Sequence, residues 1–256
     1  MAASTSTPRR RALPEVTLSE YRGVRSLHLG SPWIQGSMRI SQPLKLELEY
    51  VRRMMACLLL LPPERWPAAR AVQLGLGAAS ITKFCRRVLD MDTTAVELNP
   101  QVIETCRRHF HLGPDDERLR VVQDDAAHYV VQARHHGSAD LLFVDLYDHE
   151  AASPVLDDVR FYEQCRQLLA PGGAMSVNLF GREARFGRSM KRLAQAFGDD
   201  RVAHLSPTPQ GNAVALAWRD AALPERAVLL GRAGELERHC GLHAAAWVRY
   251  LRTTLP

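Results

Sequence analysis

No stretch of this sequence is apolar for long enough to cross a bilayer. The longest run, Met54 to Leu61, falls far short of the ~20 residues a helical span needs. Paired cysteines are missing too: Cys57, Cys85, Cys106, Cys165 and Cys240 form no Cys-x-x-Cys pair and build no zinc-type set with histidine. Four of them, Cys57, Cys85, Cys106 and Cys165, fall in apolar helical patterns, which predicts buried, reduced thiols and a cytoplasmic location. The polar start of the chain leads to no long apolar region, so no signal-peptide pattern is read. A Ser–His–Asp set cannot be assembled, and His109, His111, His128, His135 and His136 sit at helix ends or on helix surfaces without metal spacing. The net charge of +5 comes from arginines scattered through many segments, and no basic run is interleaved with aromatics. That pattern predicts a solvated basic surface, with neither nucleic acid nor membrane as a partner.

What remains is an ordinary soluble composition, 46% hydrophobic and 24% charged over 256 residues, organised around one stretch. The run Ala71-Val72-Gln73-Leu74 ends in Gly75-Leu76-Gly77-Ala78-Ala79-Ser80, and a helical pattern follows. Strand, glycine turn and helix start are the parts of a nucleotide-binding βαβ unit, in which glycines permit a sharp turn and close ligand approach. Ser80 replaces the third glycine of the dinucleotide fingerprint, but Ala95-Val96-Glu97 supplies a strand ending in an acid about 20 residues on. One carboxylate there can accept from both hydroxyls of a ribose.

Residues 1–14, rich in Ser, Thr, Pro and Arg, are expected to be disordered. Residues 15–62 read as a small β-arm of one or two hairpins, including Val24–Leu29 and Met38–Ser41, followed by a helix over Leu46–Leu61. Over 63–220 strands and helices alternate. Strands are predicted at Ala71–Leu76, Thr93–Glu97, Leu119–Gln123, Asp140–Asp145 and Ala174–Leu179; helices at Ala78–Leu89, Pro100–Phe110, Ala126–Arg134, Val159–Leu169 and Phe186–Phe197. Two last strands, Arg201–Ser206 and Ala213–Trp218, have a connection too short for a parallel crossover. The expected fold is therefore α/β: a doubly wound, seven-stranded, class I methyltransferase-like (Rossmann-like) sheet with the N-terminal β-arm. Residues 221–256 form a tail that is helical around Gly231–Arg252.

Ligands of such sheets bind at the carboxyl ends of the strands, where this chain places Glu97, Asp124, Asp125, Asp145 and Asp148. Asp125 can accept from an exocyclic adenine amine or cap the helix that begins at Ala126. Asp145 ends the apolar strand Leu141-Leu142-Phe143-Val144, where a desolvated carboxylate can take a proton from an amine or hold a cation. Asp148 follows closely enough to point at the same volume. Glu150, Asp157 and Asp158 continue the acidic loop, and one of the last two is expected to cap the next helix.

With Val96-Glu97-Leu98-Asn99-Pro100-Gln101-Val102-Ile103-Glu104, then Asp125-Ala126, then Asp145-Leu146-Tyr147-Asp148, the chain resembles the spermidine/spermine synthase family, the polyamine aminopropyltransferases. The resemblance spans roughly Gln35 to Trp218 and implies a nucleoside site made by Gly75, Gly77, Glu97, Leu98, Asp125, Ala126 and Asp145. It further implies Asp145 as the proton acceptor, with Asp148 and Tyr50 as its catalytic companions. By the same resemblance the co-substrate is decarboxylated S-adenosylmethionine, or S-adenosylmethionine itself, with no permanently bound cofactor. The acceptor is a small-molecule amine, and a homodimer is the assembly the family allows.

Four positions depart from the family pattern. The acid of the family's glycine loop is Ala78, the His-Glu pair after Tyr50 is Val51-Arg52, and the proline after the second acid of Asp-x-x-Asp is His149. Losing acids and gaining Arg52 is expected to make the pocket less hospitable to a polycation. Three readings stay open at this point: aminopropyl transfer, methyl transfer from S-adenosylmethionine, and nucleoside binding without catalysis.

Overall fold

The computed structural model describes residues 13–146, 158–180 and 183–253. Tyr147, Asp148, His149, Glu150 and Asp157 lie outside the described residues, as does most of the N-terminal segment expected to be disordered.

Three strands, β1 (Val16–Tyr21), β2 (Val24–Leu29) and β3 (Ile34–Arg39), form an antiparallel meander. Arg22 and Gly23, both at positive φ, make the two-residue turn between β1 and β2, the geometry that suits strand twist. The sequence reading missed β1, whose residues are exposed from Thr17 onward and carry no buried stripe. The helix expected over Leu46–Leu61 is an α-helix only over α1 (Glu49–Met54); Met55–Leu60 winds on as a tighter 3₁₀ stretch. Met55 to Leu59 are all buried, so no polar face dictates the 3.6-residue period there.

The central sheet takes β4 (Arg70–Leu74), β5 (Asp92–Glu97), β6 (Leu119–Gln123), β7 (Ala139–Val144) and β8 (Leu169–Phe180) as parallel strands. β9 (Val202–Leu205) and β10 (Asn212–Trp218) close it as the expected antiparallel pair. These seven strands run in the order β6-β5-β4-β7-β8-β10-β9, and an eighth, β11 (Leu251–Arg252), joins at the edge beside β9. The tail supplies that eighth strand because its predicted single helix breaks at Gly241, which is left-handed at φ 72. It becomes α7 (Arg226–Cys240) and α8 (Ala245–Tyr250).

Helices α2 (Ser80–Arg87), α3 (Pro100–His109), α4 (Ala126–Val130), α5 (Val159–Leu168) and α6 (Glu183–Phe197) alternate with the strands. Sheet residues alternate accordingly. Ala71, Leu141 and Phe143 pack with the 3₁₀ stretch, α2, α7 and α8, while Val72, Leu74, Leu142 and Val144 pack with α4, α5 and α6. A third cluster joins Leu27 and Met38 of the arm to Leu76, Ala78 and Ala79 of the glycine turn and to Val102 and Cys106 of α3. The arm is thereby packed directly on the turn.

Candidate active site

The turn after β4 is built so that little else fits. Gly75 has φ 85, and a Cβ there would run into the backbone oxygen of Asp145. Gly77 has φ 54, and a Cβ there would lie 2.8 Å from the carbonyl oxygen of Gln35. From below, buried Gln73 donates to the Gly75 carbonyl at 2.6 Å and accepts from Thr82 at 2.6 Å. From the arm side, Gly36 of β3 leaves room for Ala78, and Ser80 Oγ donates to the Ser37 carbonyl at 3.1 Å. Ala78 is buried against the arm, so the turn presents no carboxylate to a ligand.

Glu97 ends β5 and is tied to that turn. Its Oε2 accepts the Leu76 N–H at 2.9 Å and its Oε1 the Asn99 N–H at 2.8 Å. Burial pushes this carboxyl above its ordinary range, and the N–H groups of Asn99, Leu76 and Leu98 restrain the rise. Leu98 beside it is exposed. Asp125 caps α4: its Oδ1 accepts the N–H groups of Ala127 at 2.7 Å and His128 at 3.4 Å. Ala126 is the first residue of that helix. Asp124 pairs with His128 Nδ1 at 2.8 Å.

The strand ends meet at one edge. Asp145 N–H donates to the Leu74 carbonyl at 2.9 Å, and Asp124 N–H to the Glu97 carbonyl at 3.1 Å. Asp145 itself is half-buried as a residue, but its carboxyl group is enclosed by protein. Oδ1 accepts from Asn178 Nδ2 at 2.8 Å and Oδ2 from the Tyr50 hydroxyl at 3.2 Å. Desolvation lifts its pKa from 3.8 to about 6 against the pull of those two donors. Tyr50 and Asp145, 95 positions apart in the chain, are thus brought together.

Sequence reasoning missed Gln73, Asn178 and Asn212. The signal was a lone amide inside the apolar run Ala174–Leu179 and another at the start of the strand beside it. Arg52 donates to the carbonyls of Leu46 and Glu47 and, together with Arg53, to the carboxylate of Glu49 at 2.9 Å. Glu47 is held by Arg39 at 2.6 Å. Among the described residues no group of acids, histidines and cysteines is arranged to hold a metal, and no helix is long and apolar enough to cross a membrane.

Residues 82–181 match the family model described as the spermine/spermidine synthase domain. A polyamine aminopropyltransferase of Chromobacterium violaceum is 36% identical over 247 residues, 95% of this chain and 91% of its own. The chain belongs to the spermine/spermidine synthase family. In solved structures the same fold recurs in a probable spermidine synthase from Corynebacterium glutamicum (TM-score 0.71, 21% identity, 95% of this chain and 93% of that one). It recurs also in human methyltransferase-like protein 13 in complex with SAH (TM-score 0.67, 21% identity, 75% and 92%). Aminopropyl- and methyltransferases share this sheet, so the fold alone does not choose between them. The sequence relatives do: the chain is a transferase of the aminopropyl type, and neither methyl transfer nor binding without catalysis is favoured.

Proposed function

We propose that this chain transfers an aminopropyl group from decarboxylated S-adenosylmethionine to the amine of a small acceptor. The carrying observation is the Asp145 carboxyl, desolvated beside the glycine turn and oriented by Tyr50 and Asn178. Each of its oxygens accepts one bond and keeps a lone pair, so it can receive a proton from an incoming ammonium group. The freed amine attacks the carbon next to the sulfonium. The C–N bond forms, the C–S bond breaks with its electrons going to sulfur, and methylthioadenosine leaves. In this reading Glu97 accepts from the ribose diol while Leu98 lies along the adenine. Both N–H bonds to Asp125 fall on Oδ1, so Oδ2 is the oxygen that receives the adenine amine. Asp148 assists at the acceptor. Residues 63–220 serve as the nucleoside-binding domain, 15–62 close one side of it, and a homodimer is the assembly in solution.

Calorimetric binding of methylthioadenosine, S-adenosylmethionine and its decarboxylated form, with product analysis in the presence of diamines, tests the proposal. Tighter binding of the decarboxylated donor and release of methylthioadenosine support it; a preference for the intact donor with a methylated product overturns it. Because Asp145 has to be ionised to accept a proton, kcat should fall as pH drops through about 6. A pH–rate profile that stays flat down to pH 5 would contradict Asp145 as the base.

A further inference from the structure

Two amides stand behind Asp145 in a single file. Asn178, 2% exposed, lies on β8, and Asn212 begins β10. The antiparallel register sets Asn212 opposite Phe180 and Val214 opposite Asn178, so the two amides are diagonal neighbours on one face of the sheet. Asn212 Nδ2 donates to Asn178 Oδ1 at 3.1 Å, and Asn178 Nδ2 donates to Asp145 Oδ1 at 2.8 Å. Asn212 is itself pinned by Thr208: its N–H reaches Thr208 Oγ1 at 3.2 Å, and the Thr208 N–H reaches its carbonyl at 2.7 Å. The turn that holds Thr208 closes through the Gly211 N–H at 2.9 Å.

An amide has one donor end and one acceptor end, so this file has a polarity. With Asn212 donating, Asn178 offers its acceptor to Asn212 and its NH₂ to the carboxylate. Reversed, Asn178 would set its carbonyl oxygen against the carboxylate. We infer that Asn212 is a positioning residue for the transfer reaction: from β10 it fixes the orientation of the Asn178 amide and through it the Asp145 carboxylate. This rests on Asp145 acting as the base. Aligned donors polarise one another, so the second amide strengthens the first. The file works against the burial that lifts Asp145. Among the described residues the Tyr50 phenol from α1 also bonds to the carboxyl, while Asn212 of β10 and Thr208 of the β9–β10 connection stand behind Asn178. No charged side chain among the described residues bonds to it.

Asn212→Asp keeps the shape, replaces the donor by an acceptor, which turns Asn178 round, and adds a carboxylate whose repulsion itself lifts Asp145; Asn212→Ala removes the donor alone. In a pH–kcat profile the acid limb should move upward in both, by roughly half a unit for Ala and about one unit for Asp. At pH 7, where a limb moved from about 6 to about 7 leaves half of Asp145 ionised, kcat should fall by about twofold in the Asp variant while KM for the donor is unchanged. A merely structural role would lower the melting temperature of the Ala variant, which adds no charge, and leave its limb in place, and that result overturns the inference. Should the Asp variant not fold, the Ala variant, which trims a half-buried side chain, decides by the same comparison. Asp145→Asn is measured alongside. If it is inactive while the limb stays in place, the positioning role alone falls; if it is active, the base assignment falls and the inference with it.

Discussion

Burying a carboxylate at Asp145 works against stability, and the direction can be measured. In the folded state this group titrates near 6 against 3.8 for an ordinary aspartate. Between those values the folded chain holds a proton that the unfolded chain has released, so stability falls as pH rises through that window and stays lowered above it. Asp145→Asn removes the charge while its carbonyl still accepts from Asn178 and its amide can turn to Tyr50. The variant should therefore lose transfer, keep methylthioadenosine binding, and be more stable than the parent at pH 7.5 by on the order of 2 kcal/mol. Calorimetric melting at pH 7.5 and pH 4 checks this: the gain should be several degrees at the higher pH and vanish at the lower. Asp145 and Glu97 were legible in the sequence because each ends an apolar strand, and that position alone aims a side chain at the ligand edge. Asn178 and Asn212 were not, since a hydrogen bond between residues 34 apart leaves no spacing to read.

The helix and strand elements were legible wherever one face was polar, as in α3, where Asn99 caps the helix through the Gln101 N–H and Pro100 opens it. β7, buried at every residue, was legible as a short apolar run, but the 3₁₀ stretch Met55–Leu60, buried almost throughout, and β1, almost wholly exposed, were not. No sequence pattern announced that β3 rests on the glycine turn. Gly36 is the point of closest approach: a Cβ there would stand 2.5 Å from the Ala78 nitrogen and 2.7 Å from its Cβ. Both sides of that contact involve backbone, so neither gives way without moving the turn. Gly36→Ala should weaken methylthioadenosine binding by about tenfold or more while the melting temperature drops by only a few degrees, because the arm is peripheral to the two large cores. Titration calorimetry beside thermal melting separates the two effects. Unchanged affinity would mean that the arm does not set the shape of the turn.

At the scale of the whole chain, β–α alternation with a final short connection was enough to give a parallel sheet closed by an antiparallel pair, since parallel strands need crossovers and short polar loops cannot provide them. The tail escaped that logic. In α7 Val228 and Leu230 are exposed while Leu229, Ala233 and Leu236 are buried, so its apolar residues do not mark out one clean stripe. Yet the tail is part of a main core: Leu229, Leu236, Leu242, Trp247 and Val248 pack with Met54, Leu58, Leu61 and Trp66. Arg232 further donates to the Leu59 carbonyl at 2.8 Å, and β11 covers the open edge of β9. Five large apolar side chains buried at about 1.5–3 kcal/mol each amount to on the order of 10 kcal/mol, comparable to the whole stability of an ordinary domain. Deleting residues 221–256 leaves all the proposed site residues in place but strips one face of the sheet near the 3₁₀ stretch. The shortened chain should therefore lack a cooperative melting transition and, for that reason alone, bind no methylthioadenosine. Calorimetry of the truncated chain decides the matter: a sharp transition within about 5 °C of the full chain would mean that this face closes without the tail.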